Sequence, residues 1–346
     1  MDHYAGNDVS LEDWSICVVG GNGQDRREGK VASEPLALIA WLKALGLNLT
    51  RIGLEAGPLS QWLYAAMKEA GLAVELLETR HVRDAFKSMP VKTDRKDARG
   101  IAQLMRLGWF KPVHCKSMAA QETRALLTAR KLVQSKLFDV EMSVRGILRG
   151  FGLKVGPTTP RRFARRIEEL VAGHPTLERL ARALLAVHDV LLGELNGFEK
   201  LVRSLARKDV HVRLLMTTPG VGAIVALTYV AAIDDPGRFK SSKTVGAHFG
   251  LTPKKYQSGE RDVTGSISKI GDASVRAALY EAANVILTRP IKGWGLKSWA
   301  AKLARRAGMR KAKVALARKL AVVMHRMWVD GAAFNAALAA SAAPQA

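Results

Sequence analysis

The sequence predicts an α/β front followed by a long helical remainder, and three observations carry that division. Residues 4–78 alternate short β-prone runs with two helix-length segments, each closed by glycine or proline. Beyond residue 117, apolar residues instead recur every three or four positions over much longer stretches. Charge divides nearby: residues 1–100 hold 13 Lys and Arg against 14 Asp and Glu, and the remainder holds 41 against 17.

In order, residues 4–10 and 14–19 read as strands, and Asn22-Gly23 is a hairpin-turn signal. Arg27 to Ala32 returns as a third strand. Ser33 is the expected N-cap of a helix with Pro35 in its first turn, running to Leu45 and stopped by Gly46. Thr50 to Ala56 is a fourth strand, Leu59 to Ala70 a second helix, and Ala73 to Glu78 a fifth strand. A third helix begins at Asp94 and runs to about Leu107. The order β-β-β-α-β-α-β-α, a meander followed by alternation, is that of the ribonuclease-H-like fold, which includes RuvC-type resolvases.

Met118 to Phe151 reads as one long helix, Arg161 to Val171 as a short basic one, and Pro175 to Arg207 as another long one. On the last, Leu177, Leu180, Leu184, Val187, Leu191, Leu195, Phe198, Val202 and Leu205 form a coiled-coil seam. The two long helices can pair within one chain or zip to a second copy. Thr217-Thr-Pro-Gly220-Val-Gly222 resembles a helix-hairpin-helix turn, in which glycines let backbone N–H groups approach a DNA phosphate; an ordinary helix corner has the same signature. Ser242 to Gly250 is a helix, Lys254 to Ile270 a polar loop or hairpin, and Asp272 to Thr288 and Gly308 to Val329 are helices. The predicted domains are 1–112, a helical coiled-coil region 113–210, a mostly helical domain 211–335, and a disordered tail 336–346.

Composition bounds the function. Hydrophobic residues make up 48 % of the chain and mean hydropathy is near zero, with no apolar run long enough for a membrane span and no export signal. Cys17 and Cys115 lie far apart without metal-ligand neighbours and are expected as reduced thiols in a cytoplasm. The net charge of +23 sits wholly outside the front, which points to chemistry in the front and a polyanion, nucleic acid, gripped by the rest.

Asp94 and Asp97, three apart in Lys92-Thr-Asp-Arg-Lys-Asp-Ala-Arg99, share one helix face. Asp8 lies in the first strand and Glu55 near the end of the fourth, and in a sheet of this order those strands are neighbours. Four carboxylates make a hard-oxygen nest for Mg²⁺ or Mn²⁺ acting on a phosphodiester, and their repulsion without metal makes the set a poor stabilising device. In the basic part, Tyr256-Gln-Ser258-Gly is accompanied by Lys254, Lys255, Arg261, Lys269 and Arg276, a setting that suits a phosphate and a serine attacking it. Taken alone, that stretch reads first as a turn serine.

Tyr-Ala-Gly-Asn-Asp8-Val-Ser, Gly-Leu-Glu55-Ala-Gly, Lys-Thr-Asp94-Arg-Lys-Asp97-Ala and Gly-Leu-Thr-Pro-Lys-Lys-Tyr-Gln-Ser258-Gly together resemble the DEDD insertion-sequence transposases related to the pilin-gene invertase. Asn7 departs from that pattern, standing where an apolar residue precedes the first Asp. The resemblance spans nearly the whole chain and implies a RuvC-like front, a coiled-coil middle and a C-terminal transposase domain. It further implies Asp8, Glu55, Asp94 and Asp97 as Mg²⁺ ligands, Ser258 as a nucleophile joined covalently to DNA, an element-encoded guide RNA, and dimers assembling to a tetramer. The expected protein is a bacterial, nucleoid-associated DNA recombinase that excises and inserts its own element. The alternatives are a metal-dependent junction-resolving nuclease, which needs no serine, and a non-catalytic DNA-binding protein, which needs neither serine nor metal.

Overall fold

A computed structural model describes residues 2–87, 89–290 and 295–335, and the expected tail lies outside them. The chain divides into two compact units, Met1–Lys116 and Ser117–Ala346.

The first unit is built on strands β1 (His3–Val9), β2 (Asp13–Gly20), β3 (Asp25–Ala32), β4 (Leu49–Glu55) and β5 (Val74–Leu77). They form one sheet in the order β3-β2-β1-β4-β5. The meander β1–β2–β3 is antiparallel, and β1–β4 and β4–β5 are parallel. Helices α1 (Pro35–Ala44) and α2 (Ser60–Glu69) cover one face, and α4 (Asp94–Leu107) covers the other. Side chains alternate between faces along a strand. Ala5, Ile16, Val18, Ile52 and Leu54 accordingly pack with Leu38, Leu42, Leu63 and Met67. The intervening positions Tyr4, Cys17 and Val19 pack under α4.

Two local expectations change. The N-cap of α1 is Glu34 rather than Ser33, whose hydroxyl instead donates to the Ser10 carbonyl at 2.8 Å. A seven-residue helix, α3 (Thr79–Ala85), follows β5; it is too short for a helical period to register in the sequence.

The second unit opens with α5 (Met118–Arg149), α6 (Pro160–Val171) and α7 (Pro175–Lys208). Arg130 pairs with Glu199 and Glu141 approaches His188 at 3.2 Å, so α5 and α7 run antiparallel as a helical hairpin. At its far end Val144, Leu148, Phe163, Ile167, Leu177, Ala181 and Leu185 form a cluster roofed by α6. Leu177 and Val202 of the expected seam are buried, but between them the buried stripe of α7 is rotated from it. Ala181, Leu185 and His188 face inward, while Leu180 and Val187 are exposed. The apolar pattern of α7 is wide enough for two stripes, and the packing of α5 and α6 selects one.

The body of this unit is α8 (Val210–Leu215), α9 (Ala223–Ile233), the short α10 (Val245–His248), α11 (Ala273–Thr288), α12 (Gly295–Ala307) and α13 (Met309–Asp330) around one core. The stretch after Gly250 is a hairpin of β6 (Pro253–Ser258) and β7 (Arg261–Ile267). No helix of the described residues is long and apolar enough to cross a membrane.

Candidate functional site

β1 and β4 run parallel with Asn7 opposite Leu54, so Asp8 and Glu55 stand next to one another at the strand ends. The period of two that sends Ala5 and Leu54 toward α1 and α2 turns Asp8 and Glu55 toward α4. Two residues upstream on that same face are Gly6 and Gly53. A Cβ on Gly6 would lie 2.1 Å from the Ala98 carbonyl oxygen, and one on Gly53 would lie 2.6 Å from Ile101 Cγ2. These glycines let α4 settle onto the backbones of β1 and β4, which brings its first turn to the strand-end acids.

That first turn is defined by Thr93, whose Oγ1 accepts a hydrogen bond from the Lys96 N–H at 3.3 Å. Asp94 and Asp97 occupy the turn, where carboxylates also complement the helix dipole. Asp97 is buried, with Lys92 Nζ 3.6 Å from its Oδ2. Arg95 and Arg99 leave the opposite side of the turn and pair with Glu28 and Asp25 of β3, the latter at 3.0 Å.

The four acids share one field. Burial, then the charges of Asp97 and Asp94, push the Asp8 carboxyl up to about 6, with Lys92 and the Val9 N–H opposing. Burial, then the charge of Asp8, raises Glu55. No three of the four bring oxygens within 4.8 Å of one another among the described residues. Uncompensated carboxylates repel to such separations, and the raised proton affinity of Asp8 and Glu55 records burial first and the neighbouring carboxylates second. This donor set fits a hard divalent cation.

Among the described residues, the one group of His, Cys, Asp and Glu ligand atoms that does converge is Cys17, Asp25 and Glu28. It suits a metal poorly. Burial and the two carboxylates push the Cys17 thiol up to about 12, and both acids are engaged by arginines. The cluster instead latches the α4 turn to β3. This latch, with Gly6 and Gly53, escaped the sequence reading, although the repeated Gly-x-Asp and Gly-x-Glu at the two strand ends was its visible sign.

Asn7 is completely buried on the opposite face. Its Nδ2 donates to the Gly53 carbonyl at 3.1 Å, a rung between the two acid-bearing strands, while its Oδ1 has no partner among the described residues.

In the second unit, Ser258 ends β6 opposite Arg261, across a two-residue turn in which Gly259 has φ +56°. Every residue of this hairpin up to Ser266 is exposed, so both of its faces lie outside the core. The Ser258 hydroxyl makes no hydrogen bond among the described residues. Lys255 is partly neutralised by Asp262 at 3.2 Å, which leaves Lys254 and Arg261 as the cations of the strands without an ion-pair partner among the described residues. Arg276 donates to the Phe249 and Gly271 carbonyls, fastening the hairpin's base. Lys269 lies at that base, in a left-handed conformation. Of the two glycines in the helix-hairpin-helix stretch, Gly220 is pressed against α11, where a Cβ would lie 2.8 Å from the Ala282 carbonyl oxygen. Gly222 caps α9 and faces open space.

Gly6→Ala is expected to destabilise the first unit by about 3 kcal/mol, because the new Cβ meets helix backbone rather than a flexible side chain. Thermal unfolding measures it, and an unchanged melting temperature would refute this account of how α4 is seated.

Residues 5–152 match the IS110-type DEDD family model described as a transposase. Residues 212–297 match the model for the transposase IS116/IS110/IS902 family. The chain is 29 % identical over 275 residues to the transposase for insertion sequence element IS1111A of Coxiella burnetii, covering 78 % of this chain and 74 % of that protein. It is 26 % identical to the transposase for insertion sequence element IS1328 of Yersinia enterocolitica, over 78 % and 80 % of the two chains. A probable family 20 transposase of Pseudomonas aeruginosa is 24 % identical, over 79 % and 82 %.

Proposed function

We propose, for a chain whose matches support a DEDD transposase of the IS110/IS116 family, that it excises and inserts its own element through a phosphoserine intermediate. The observation that carries the reading is the placement of Asp8, Glu55, Asp94 and Asp97 at the ends of two neighbouring strands and one helix turn, where burial and the charges of their acidic neighbours raise the proton affinity of Asp8 and Glu55. In this reading the first unit is ribonuclease-H-like, as its strand order suggests, and the four acids hold Mg²⁺ or Mn²⁺. A divalent cation there supplies Lewis-acid polarisation of the scissile phosphate and charge for the departing oxygen.

The chain's own groups do the rest. The Ser258 oxygen forms a bond to phosphorus as the phosphorus–oxygen bond of the strand breaks. The serine proton is lost to water and the departing strand oxygen gains one. Attack by a strand hydroxyl on the phosphoserine then reforms a phosphodiester and restores the serine, so that bond energy is conserved. Lys254 and Arg261 hold the phosphate, and Lys255, Lys269, Gly220 and Gly222 extend contact along the backbone. A guide RNA is the second polyanion in this reading, favoured by the family resemblance and the basic excess beyond residue 100.

Incubating the purified protein with element-end DNA and Mg²⁺, then running denaturing gels, tests the reading. A covalent protein–DNA adduct that chelator abolishes is expected. Metal-dependent cleavage without an adduct would leave a junction-type nuclease, and metal-independent binding without cleavage an architectural protein.

Self-association follows from α7. Leu180, Val187 and Leu201 recur at heptad spacing along α7, with Val190 beside them, and all four are exposed. A coiled-coil contact between copies, giving dimers that assemble to a tetramer, covers them. Leu180→Glu combined with Leu201→Glu is expected to lower the mass measured by light scattering to that of a monomer, and an unchanged mass would exclude this stripe as the contact.

A further inference from the structure

Helices α12 and α13 are separated by Gly308 alone, whose φ of +86° turns the chain sharply between them. Lys302, Arg305 and Arg306 lie before the corner and Arg310 and Lys311 after it, and all five are exposed. None has an ion-pair partner among the described residues. Across residues 295–330 there are ten lysines and arginines against one acid, Asp330, which pairs with Arg326 far from the corner.

This arrangement is unfavourable for the fold by itself. The first turn of α13 carries Arg310 and Lys311 with no acid and no side-chain cap. Cations at that end oppose the helix dipole, whereas the first turn of α4 carries two aspartates. Five like charges around one tight corner repel, and nothing else in α12 or the start of α13 offsets them. The corner also lies beyond residue 297, where the second family match ends.

We propose that the α12–α13 corner grips the phosphate backbone of duplex DNA without regard to sequence. From Leu303 to Ala312 the side chains are only those of Leu, Ala, Arg, Gly, Met and Lys. Charge without amides or hydroxyls suits phosphates, which position a protein on the duplex, more than base edges, which specify sequence. The same lack disfavours folded RNA, whose recognition draws on contacts to 2′-hydroxyls. The choice of DNA rests on the recombinase reading, in which the enzyme must hold whatever sequence flanks its element.

The test uses the full chain carrying R305Q, R306Q, R310Q and K311Q, and a charge-matched control carrying R179Q, R182Q, K200Q and R203Q on α7. Binding to a mixed-sequence DNA duplex lacking element ends is measured by anisotropy over a salt series without divalent metal. For the corner variant, the slope of log K against log salt is expected to fall by about 3, and affinity near physiological salt by at least about tenfold, with melting temperature unchanged or raised. The control is expected to lose less than about threefold. Retention of slope and affinity by the corner variant removes the grip and leaves the recombinase reading standing. An equal loss in the control, or a loss confined to an RNA duplex of the same sequence, also overturns it. A wild-type protein that binds no duplex overturns both.

Discussion

Asp8→Asn is expected to abolish metal-dependent strand cleavage, by about a thousandfold or more, while making the metal-free protein more stable. Both effects have one cause. The folded protein raises the Asp8 carboxyl to about 6 through burial and the charges of Asp97 and Asp94. An unfolded chain ionises this group near 4, so between about pH 4 and 6 the folded state holds a proton that the unfolded state has released. Protonation thus favours the fold, and the contribution is lost as pH rises through 6, leaving a strained carboxylate at neutral pH. Asn carries no charge to strain. Allowing for partial solvent access, the gain at pH 7 is on the order of 1–2 kcal/mol. Thermal unfolding in chelator should show the wild type losing stability from pH 4 to 7 relative to the variant. Added Mg²⁺ should raise the wild-type melting temperature and leave the variant's unchanged. Asp94→Asn and Asp97→Asn are expected to lose cleavage likewise. Normal cleavage in all three variants, or an undiminished response of Asp8→Asn to Mg²⁺, would exclude the acid cluster as a metal site.

The expected trade of stability for charge is what made the candidate acids stand out in the sequence. A pair of aspartates three apart among cations has little structural purpose, and acids at two strand ends acquire meaning once the strand order makes those strands neighbours. The order itself was readable because β2, β4 and β5 carry short apolar runs and Gly, Pro and Asn-Gly punctuate the strands, and local turn chemistry is what a sequence displays directly. What stayed hidden is set by tertiary contact. Glu34 replaces Ser33 as the helix cap because the Ser33 hydroxyl is drawn to Ser10, twenty-three residues earlier. The stripe of α7 turns from Leu180 and Val187 to Ala181 and His188 because α6 and Glu141 lie on that side. The helix α12 has no acid in its first turn, and a single glycine divides it from α13, so its sequence merges with its neighbour's. The role of Gly6 and Gly53 depends on a helix forty or more residues away, and no local pattern announces that distance.

Ser258→Ala is expected to eliminate both the covalent adduct and recombination, a loss larger than any single lysine or arginine change nearby. The substitution removes only an oxygen from an exposed hairpin position that makes no hydrogen bond among the described residues, so folding is not at stake. Adjacent changes grade the effect. Ser258→Cys keeps a nucleophile of different reach and acidity, and is expected to retain a trace of adduct or none. Arg261→Gln removes the cation directly opposite in register, and is expected to weaken the reaction about tenfold to a hundredfold while leaving the adduct detectable. The hairpin accounts for the difference in scale. Its strands are fixed to each other by the β6–β7 ladder and to the body by Arg276 and the glycines at its base, but it has no core of its own. Such an element contributes almost nothing to folding and presents the Ser258 hydroxyl and a few charges to a partner. If Ser258→Ala still forms an adduct, another group is the nucleophile and the hairpin is a DNA contact alone. If it recombines at full rate with no adduct in either protein, the chemistry belongs to the four acids, with water opening the strand and the freed strand hydroxyl attacking the target phosphodiester as its phosphorus–oxygen bond breaks.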